Sequence, residues 1–448
     1  MKTSLENRNY DTMLEPSDWR FSAAIVGLMQ YFDYHNIQYE MNDDAILYNQ
    51  IDITEDRYLN FVENKYGERF HHKVIENILK ESELSDEQIK TVNEKLKANT
   101  VMKNVFGKTK FNGSNKEMIL NLLNENRDSL IKETFRLKSD MYADYANTNQ
   151  IFNESQGYCR LLGYYIDSGK KGKSTAYNFV MNNFVSQDIK EFDFIPFAFY
   201  GDRETFFIND NFNISRLKIT SKILEKSLKN KDEKVKNSRQ AFFKGIIESS
   251  DFIKRDVEVI VKNVDNDFFE TLYIRKKNID ILKSLSNNNV DYEALNILFK
   301  VTEKFYRNIQ CEVMNDILND IYLDDLIELF LKEKRAYIVS QLIKINILMR
   351  GEGNMNDKLK GAYACAKQVA GKIENNKIES YRQKLTSSVI FKDYDRACQI
   401  LLQLSNYSNV EFGFVYDLFD SFEDNKDLVY TFINALSKDT NRNDNAKN

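Results

Sequence analysis

Proline is nearly absent, with two in 448 residues, and glycine is sparse at fifteen. Sandwiches, barrels and long flexible linkers depend on such turn-forming and flexible positions, so these architectures are disfavoured. The four cysteines, Cys159, Cys311, Cys365 and Cys398, lie far apart without paired spacing. That pattern fits a reducing cytoplasm and gives no support for a disulfide framework or a four-cysteine zinc site. Three histidines leave little material for imidazole catalysis or metal binding. Long apolar runs are missing too: the most apolar stretch runs uninterrupted only from Ala23 to Met29, against the roughly 20 residues a bilayer span requires. Glu6, Asp11, Glu15 and Asp18 precede it where a secretion signal carries positive charge, and no small-residue cleavage site follows. The expectation is a soluble, unexported, cytoplasmic chain with no membrane contact. Nor does one sign of charge dominate. With 63 basic and 68 acidic residues the net charge is −5, so any surface for a polyanion must be local.

What is present is enough apolar material, 42% of residues, for a large buried core. At this length two or three domains are expected. "PSDWRFSAAIVGLMQYFDY" (16–34) holds the single tryptophan. Ser17 or Asp18 is placed to cap a helix in which Phe21, Ile25, Leu28 and Phe32 recur at helical spacing. Ala23, Ala24 and Gly27 fill its other sides, so the helix is apolar nearly all round and belongs inside the protein. "AILYNQIDI" (45–53) reads as a strand, followed by a helix opening near Thr54, and Ser85 with Gln88 forms a capping box for "DEQIKTVNEKLKA". "FDFIPFAFYG" (192–201) with "ETFFIND" (204–210), and then "VEVIVKNVDNDFFETLYIRK" (257–276), read as two hairpins. From about Asn278 the apolar spacing turns helical, beginning with "DYEALNILFKVTEKFYRNI", and stays so. The fold class expected is an α+β N-terminal domain with antiparallel hairpins over 1–295, then an all-α C-terminal helical bundle over 296–436 and a polar tail over 437–448. The chain is predominantly helical.

Two enzyme readings are set against plainer ones. "DSGKKGKST" (167–175) contains Gly172-Lys173-Ser174, but a phosphate-binding loop needs glycine where Asp167 stands, and a carboxylate there repels the phosphate. A basic loop that meets a phosphate backbone through Lys170, Lys171 and Lys173 is the better reading. Asp265, Asp267 and Glu270 with Lys276–Lys277 resemble the carboxylate and lysine set of a metal-dependent nuclease, yet Asn/Asp-rich turns are ordinary between strands. None of the cysteines has a histidine near it in sequence, and His71–His72 sit in a charged amphipathic helix.

The strongest signal is local positive charge. Between Ile214 and Lys244 ten basic residues face only Glu225, Asp232 and Glu233. Arg216, Lys222, Lys226 and Lys229 share a helical face, with Lys218 and Lys234 nearby. Smaller clusters occur at Lys103, Lys108, Lys110 and Lys116, and at Arg275, Lys276 and Lys277. A solvated helix face explains any one cluster alone; several together point to a polyanion, most plausibly nucleic acid, bound through phosphates without sequence information. A phosphate-handling enzyme and a helical scaffold for acidic proteins are the alternatives. No catalytic residue, metal or cofactor is assigned.

Three patches carry a resemblance. "DWRFSAAIVGLMQYF", "FDFIPFAFYGDRETFFINDNF" and "NKIESYRQKLTSSVIFKDYDRACQILLQLS", in that order along the chain, resemble the N-terminal signature, aromatic hairpin and C-terminal helical region of the large-subunit family of type I CRISPR interference complexes. The resemblance implies a non-catalytic subunit near the 5′ end of a guide RNA. It also implies an N-terminal domain inspecting a short flanking motif on target DNA, contacts with other subunits of the effector complex, and recruitment of a separate helicase-nuclease. Reading a short duplex motif while base pairing supplies the remaining specificity is the logic of guided recognition. Many relatives carry cysteine pairs for zinc in the middle region; here only Cys159, in "GYCRLLGYY", stands near that place, so no zinc site is carried over.

Overall fold

The apolar stretch at 16–34 becomes α1 (Trp19–His35). Asp18 caps it by accepting from the backbone N–H of Arg20 and Phe21, and Asn36 ends it in the left-handed conformation. The computed structural model describes residues 10–153, 159–164, 188–229, 255–351 and 355–437, together with Phe242, Ile246 and Ile253. The chain divides into two compact units, Met1–Ile274 and Arg275–Asn448.

In the first unit β1 (Thr12–Leu14), β2 (Glu40–Met41) and β3 (Ile46–Tyr48) form a small antiparallel sheet in the order β1-β3-β2. Six helices follow: α2 (Glu55–Tyr66), α3 (His71–Leu79), α4 (Asp86–Lys95), α5 (Thr100–Phe106), α6 (Lys116–Glu125) and α7 (Arg127–Leu137). Thr54 caps α2, and the Ser85–Gln88 capping box of α4 is complete in both directions. Then β4 (Tyr200–Gly201), β5 (Glu204–Asn209), α8 (Ile214–Lys229), β6 (Val257–Asn263) and β7 (Phe269–Ile274) follow among the described residues, the strands pairing antiparallel in sequence order. The β6–β7 hairpin matches the reading of 257–276. Its turn is fastened by Lys262, a buried lysine whose Nζ donates to the carbonyls of Asn263 (2.7 Å) and Asn266 (2.5 Å).

Two readings of this region need correction. "FDFIPFAFYG" is mostly a 3₁₀ helix, Lys190–Ala198, and only Tyr200–Gly201 pairs with β5. An alternating strand buries one face, whereas Phe192, Phe194, Ile195, Phe197 and Ala198 are all buried. Pro196 has no N–H to give a ladder. The strand expected over 45–53 stops at Tyr48, because Asp11 and Asn49 exchange side-chain bonds with the backbone of Gln50 and Asp11 and turn the chain into a short 3₁₀ helix, Gln50–Asp52.

The 190–198 segment is the main partner of α1. The fit is so close that a Cβ on Gly27 would stand 2.1 Å from the Phe194 carbonyl oxygen. Aromatic rings of Tyr31, Tyr58, Phe61, Phe135, Phe194 and Phe197 pack around this junction, edge to face except for Phe135 and Phe197, which stack. A charge lies among them. Arg160, fully buried, pairs with Asp193 (2.8 Å) and Asp188 (3.1 Å) and donates to the carbonyls of Gln150 and Asn153. Tyr142 donates to the same Asp193 (2.6 Å), so the buried charge is paired and hydrogen-bonded on several sides. A second, smaller core joins α3 to α6 through Ile75, Leu79, Val92, Met102, Phe106, Ile119 and Leu123.

The second unit holds α9 (Lys276–Asn287), β8 (Leu298–Lys300), β9 (Tyr306–Asn308), α10 (Ile309–Leu318), α11 (Asp324–Lys332) and α12 (Ala336–Arg350). It continues with α13 (Met355–Lys372), α14 (Asn375–Ile390), α15 (Tyr394–Ser408), α16 (Val415–Asp420) and α17 (Lys426–Ala435). Helix α17 is the hub: α11, α12, α13 and α14 all pack on it, and Leu428, Val429, Tyr430, Phe432 and Ile433 are buried. The helix expected over 291–309 is instead a 3₁₀ turn, Glu293–Leu295, and the β8–β9 hairpin. Phe299, Val301, Thr302, Phe305 and Tyr306 are aromatic or β-branched, and a short apolar run of that composition closes a hairpin as readily as it winds a helix. Predominantly helical architecture, with antiparallel hairpins in the first unit and a run of helices in the second, is as the sequence reads.

Candidate nucleic-acid interface

Helix α8 is built to present lysines. Ile214, Leu217, Thr220, Ser221, Leu224 and Leu228 are buried on one face at three- and four-residue steps, and the helix packs on α1, β4 and β5. Asn213 accepts from the backbone of Arg216, and the Ile214 N–H donates to the Asp43 carbonyl (3.0 Å), so the first turn is anchored. A polar belt holds the middle of the helix. Lys65 Nζ donates to Gln30 Oε1 (2.7 Å) and pairs with Glu225 (3.2 Å). Gln30 Nε2 donates in turn to Tyr200 Oη (3.0 Å), which shares a hydrogen bond with Ser221 Oγ (3.0 Å). Fixed on both counts, α8 turns Ile219, Lys222 and Lys226 outward. Lys222 and Lys226, one turn apart, make no ion pair among the described residues.

The neighbouring cations of the same helix are differently employed. Lys218 donates to Tyr39 Oη (2.9 Å) and lies 3.6 Å from Asp33, so it ties α8 to the chain after α1. Arg216 is half-buried beside Asp43, whose carboxyl is held below its usual range by hydrogen bonds from Ser215 and Asn213, with Arg216 adding to the effect. Of Lys229 only the backbone is described. Lys234 and the loop lysines Lys170, Lys171 and Lys173 lie outside the described residues, as does the whole of 167–175.

Lys108 and Lys110 are exposed on the turn after α5, with Lys103 exposed on α5 itself. They ride on the second small core, a different support from that of α8. Lys116 is drawn in, donating to the Glu81 carbonyl (3.2 Å). Arg275, Lys276 and Lys277 open the second unit, where Arg275 (2.9 Å) and Lys277 (3.2 Å) both clasp Asp320. The candidate set therefore separates into a presented stripe on α8, a presented turn after α5, and a cluster engaged by its own aspartate.

The acidic and histidine candidates also have positions. Asp265 is largely exposed and lies 3.7 Å from Arg203. Among the described residues no three His, Cys, Asp or Glu side chains converge as a metal site would require. His72 is buried against Glu63 (2.8 Å), where Arg127 also docks (2.8 Å). Burial alone would raise the Glu63 pKa, but the bonds from His72 and Arg127 hold it down at about 2. His71 is pushed to about 4 by burial and then by Lys138 and Lys95, which leaves it neutral at pH 7. Cys159 is buried, 3.8 Å from the Arg20 guanidinium, with its thiol pKa raised by burial. Sequence reasoning missed the belt residues Lys65, Gln30, Tyr200 and Ser221, since nothing local marks residues that meet only in the fold.

Comparison with known proteins gives one match. A family model described as CRISPR-associated protein Csx8 covers residues 10–436. No curated protein and no solved structure matches.

Proposed function

The chain belongs to the CRISPR-associated Csx8 family, and from that premise we propose that it is the nucleic-acid-binding large subunit of an RNA-guided effector complex. In this reading the first unit contacts guide RNA and target DNA and inspects the flanking motif. The subunit helps recruit a separate helicase-nuclease and performs no catalysis itself. The observation that carries the reading is the outward stripe of α8, where Lys222 and Lys226 are exposed and make no ion pair among the described residues, although the chain as a whole is acidic. Exposed lysines on a rigid helix meet phosphates by releasing condensed counterions, which gives affinity without a pocket. The presented turn at Lys108 and Lys110 adds a second point of phosphate contact. The plainer reading of the 265–277 set draws support from Lys277, which pairs with Asp320.

The experiment is co-expression of the tagged full chain with the other subunits of its effector complex and a guide array. Guide RNA and those subunits are expected to co-purify, and the purified chain, given nucleotide and a divalent metal, is expected to release no phosphate and to leave nucleic acid uncut. Hydrolysis that disappears in Lys173→Ala would replace this reading with an enzyme.

A further inference from the structure

In the second unit α11 and α14 face each other across a cleft of about 580 Å³, a size that takes a ligand or the inserted side chains of a docked chain. Leu329, Leu331, Ile390 and Phe391 give it an apolar wall. Phe391, just past the end of α14, is 80% exposed, which is unusual for a phenylalanine beside an apolar groove.

Arg382 also lines the cleft and is only 7% exposed. Among the described residues its Nε has no hydrogen-bond partner, and its Nη1 approaches Glu379 only to 3.9 Å. Glu379 is itself held by Lys334 at 2.6 Å, and Thr386 Oγ1 bonds the Arg382 carbonyl rather than supplying an acceptor to the guanidinium. A buried guanidinium with one remote partner is costly until a carboxylate arrives. Lys332, exposed on the same cleft, adds positive charge. The two acids present do not answer it: Glu328 is occupied by Tyr430 Oη (2.7 Å) and Asp325 faces solvent.

We propose that this cleft docks a segment of a partner polypeptide, which seats an apolar side chain against Leu329 and Phe391 and places a neighbouring aspartate or glutamate on Arg382. A buried arginine beside an exposed aromatic is the composition of protein interaction hot spots. One recessed guanidinium suits one carboxylate, whereas a phosphate backbone would also meet Asp325 and Glu328. The inference rests on the reading of this chain as a subunit of a larger complex and is independent of its nucleic-acid contacts.

The test is photo-crosslinking in the assembled complex, with Phe391→p-benzoylphenylalanine in the full chain and the adduct identified by mass spectrometry. The expected product is one segment of another subunit that carries an acidic residue close to the cross-link. Its yield should fall about tenfold in Arg382→Met, as for loss of a charged hydrogen bond. It should also fall in Lys332→Glu, a surface change that leaves folding intact, and in the presence of millimolar 4-phenylbutyrate but not 4-phenylbutylamine. Cross-links only to guide or target strands, only within this chain, or to a partner but indifferent to all three perturbations would overturn the proposal. A complex that assembles and holds guide RNA yet gives no partner adduct overturns this inference alone, while a chain that enters no complex overturns the larger reading.

Discussion

At Gly27 one added methyl group has nowhere to go, because the Phe194 carbonyl oxygen already occupies the site where Cβ would stand. Gly27→Ala should prise α1 from the 190–198 segment at a cost of about 2–3 kcal/mol, the upper range for overpacking. Thermal unfolding followed by circular dichroism reads it as a lower Tm; an unchanged Tm would mean the two backbones have room to spare. Glu63 makes a second residue-scale prediction. Its folded pKa, about 2, lies below the ordinary 4.5, held there by His72 and Arg127 against the opposing effect of burial. A depressed carboxylate stabilises the fold above its unfolded pKa, so this contribution is complete above about pH 4.5 and is lost as pH falls toward 2. At full size it is on the order of 3 kcal/mol. Hydrogen exchange in α2 and α3 should therefore lose protection on acidification through that window, and Glu63→Gln should flatten the pH dependence. Protection in the native chain that ignores pH between 5 and 3 would contradict it.

Among the elements, α4 offers the cleanest local test, since its capping box satisfies two backbone donors from side chains alone. Ser85→Ala should cost about 1 kcal/mol, seen as a lower urea midpoint for the small helical core of α3 to α6. The same box shows what the sequence could reveal: signals within one turn were legible, as were the burial of α1 and the β6–β7 hairpin. The 190–198 segment was not, because its phenylalanines are spaced like a strand and only packing on both sides makes it something else. The β8–β9 hairpin escaped for a related reason, its short apolar run suiting either period. On α8 the four-residue spacing of Lys222 and Lys226 was legible, but the diversion of Lys218 to Asp33 and Tyr39 was not, since those partners lie far away in sequence. Arg160 and Arg382 read as ordinary basic residues until the fold buries them.

For the whole molecule, a net charge of −5 means that the proposed nucleic-acid contact rests on local presentation, where the charges that face outward matter more than the total. Two compact units divide the labour in the reading given above: exposed lysines on the first, and an apolar cleft with a recessed arginine on the second. Lys222 and Lys226 on the first surface and Lys332 on the second are exposed, so binding and folding can be separated experimentally at those positions. The most direct measurement is the salt dependence of the dissociation constant for guide RNA or target duplex, comparing the native chain with Lys222→Glu/Lys226→Glu. Loss of two phosphate contacts should weaken binding and make the log–log slope on duplex shallower by about 2, at roughly 0.9 per contact. An identical slope, with the same affinity at every salt concentration, would show that the outward stripe of α8 meets no phosphate.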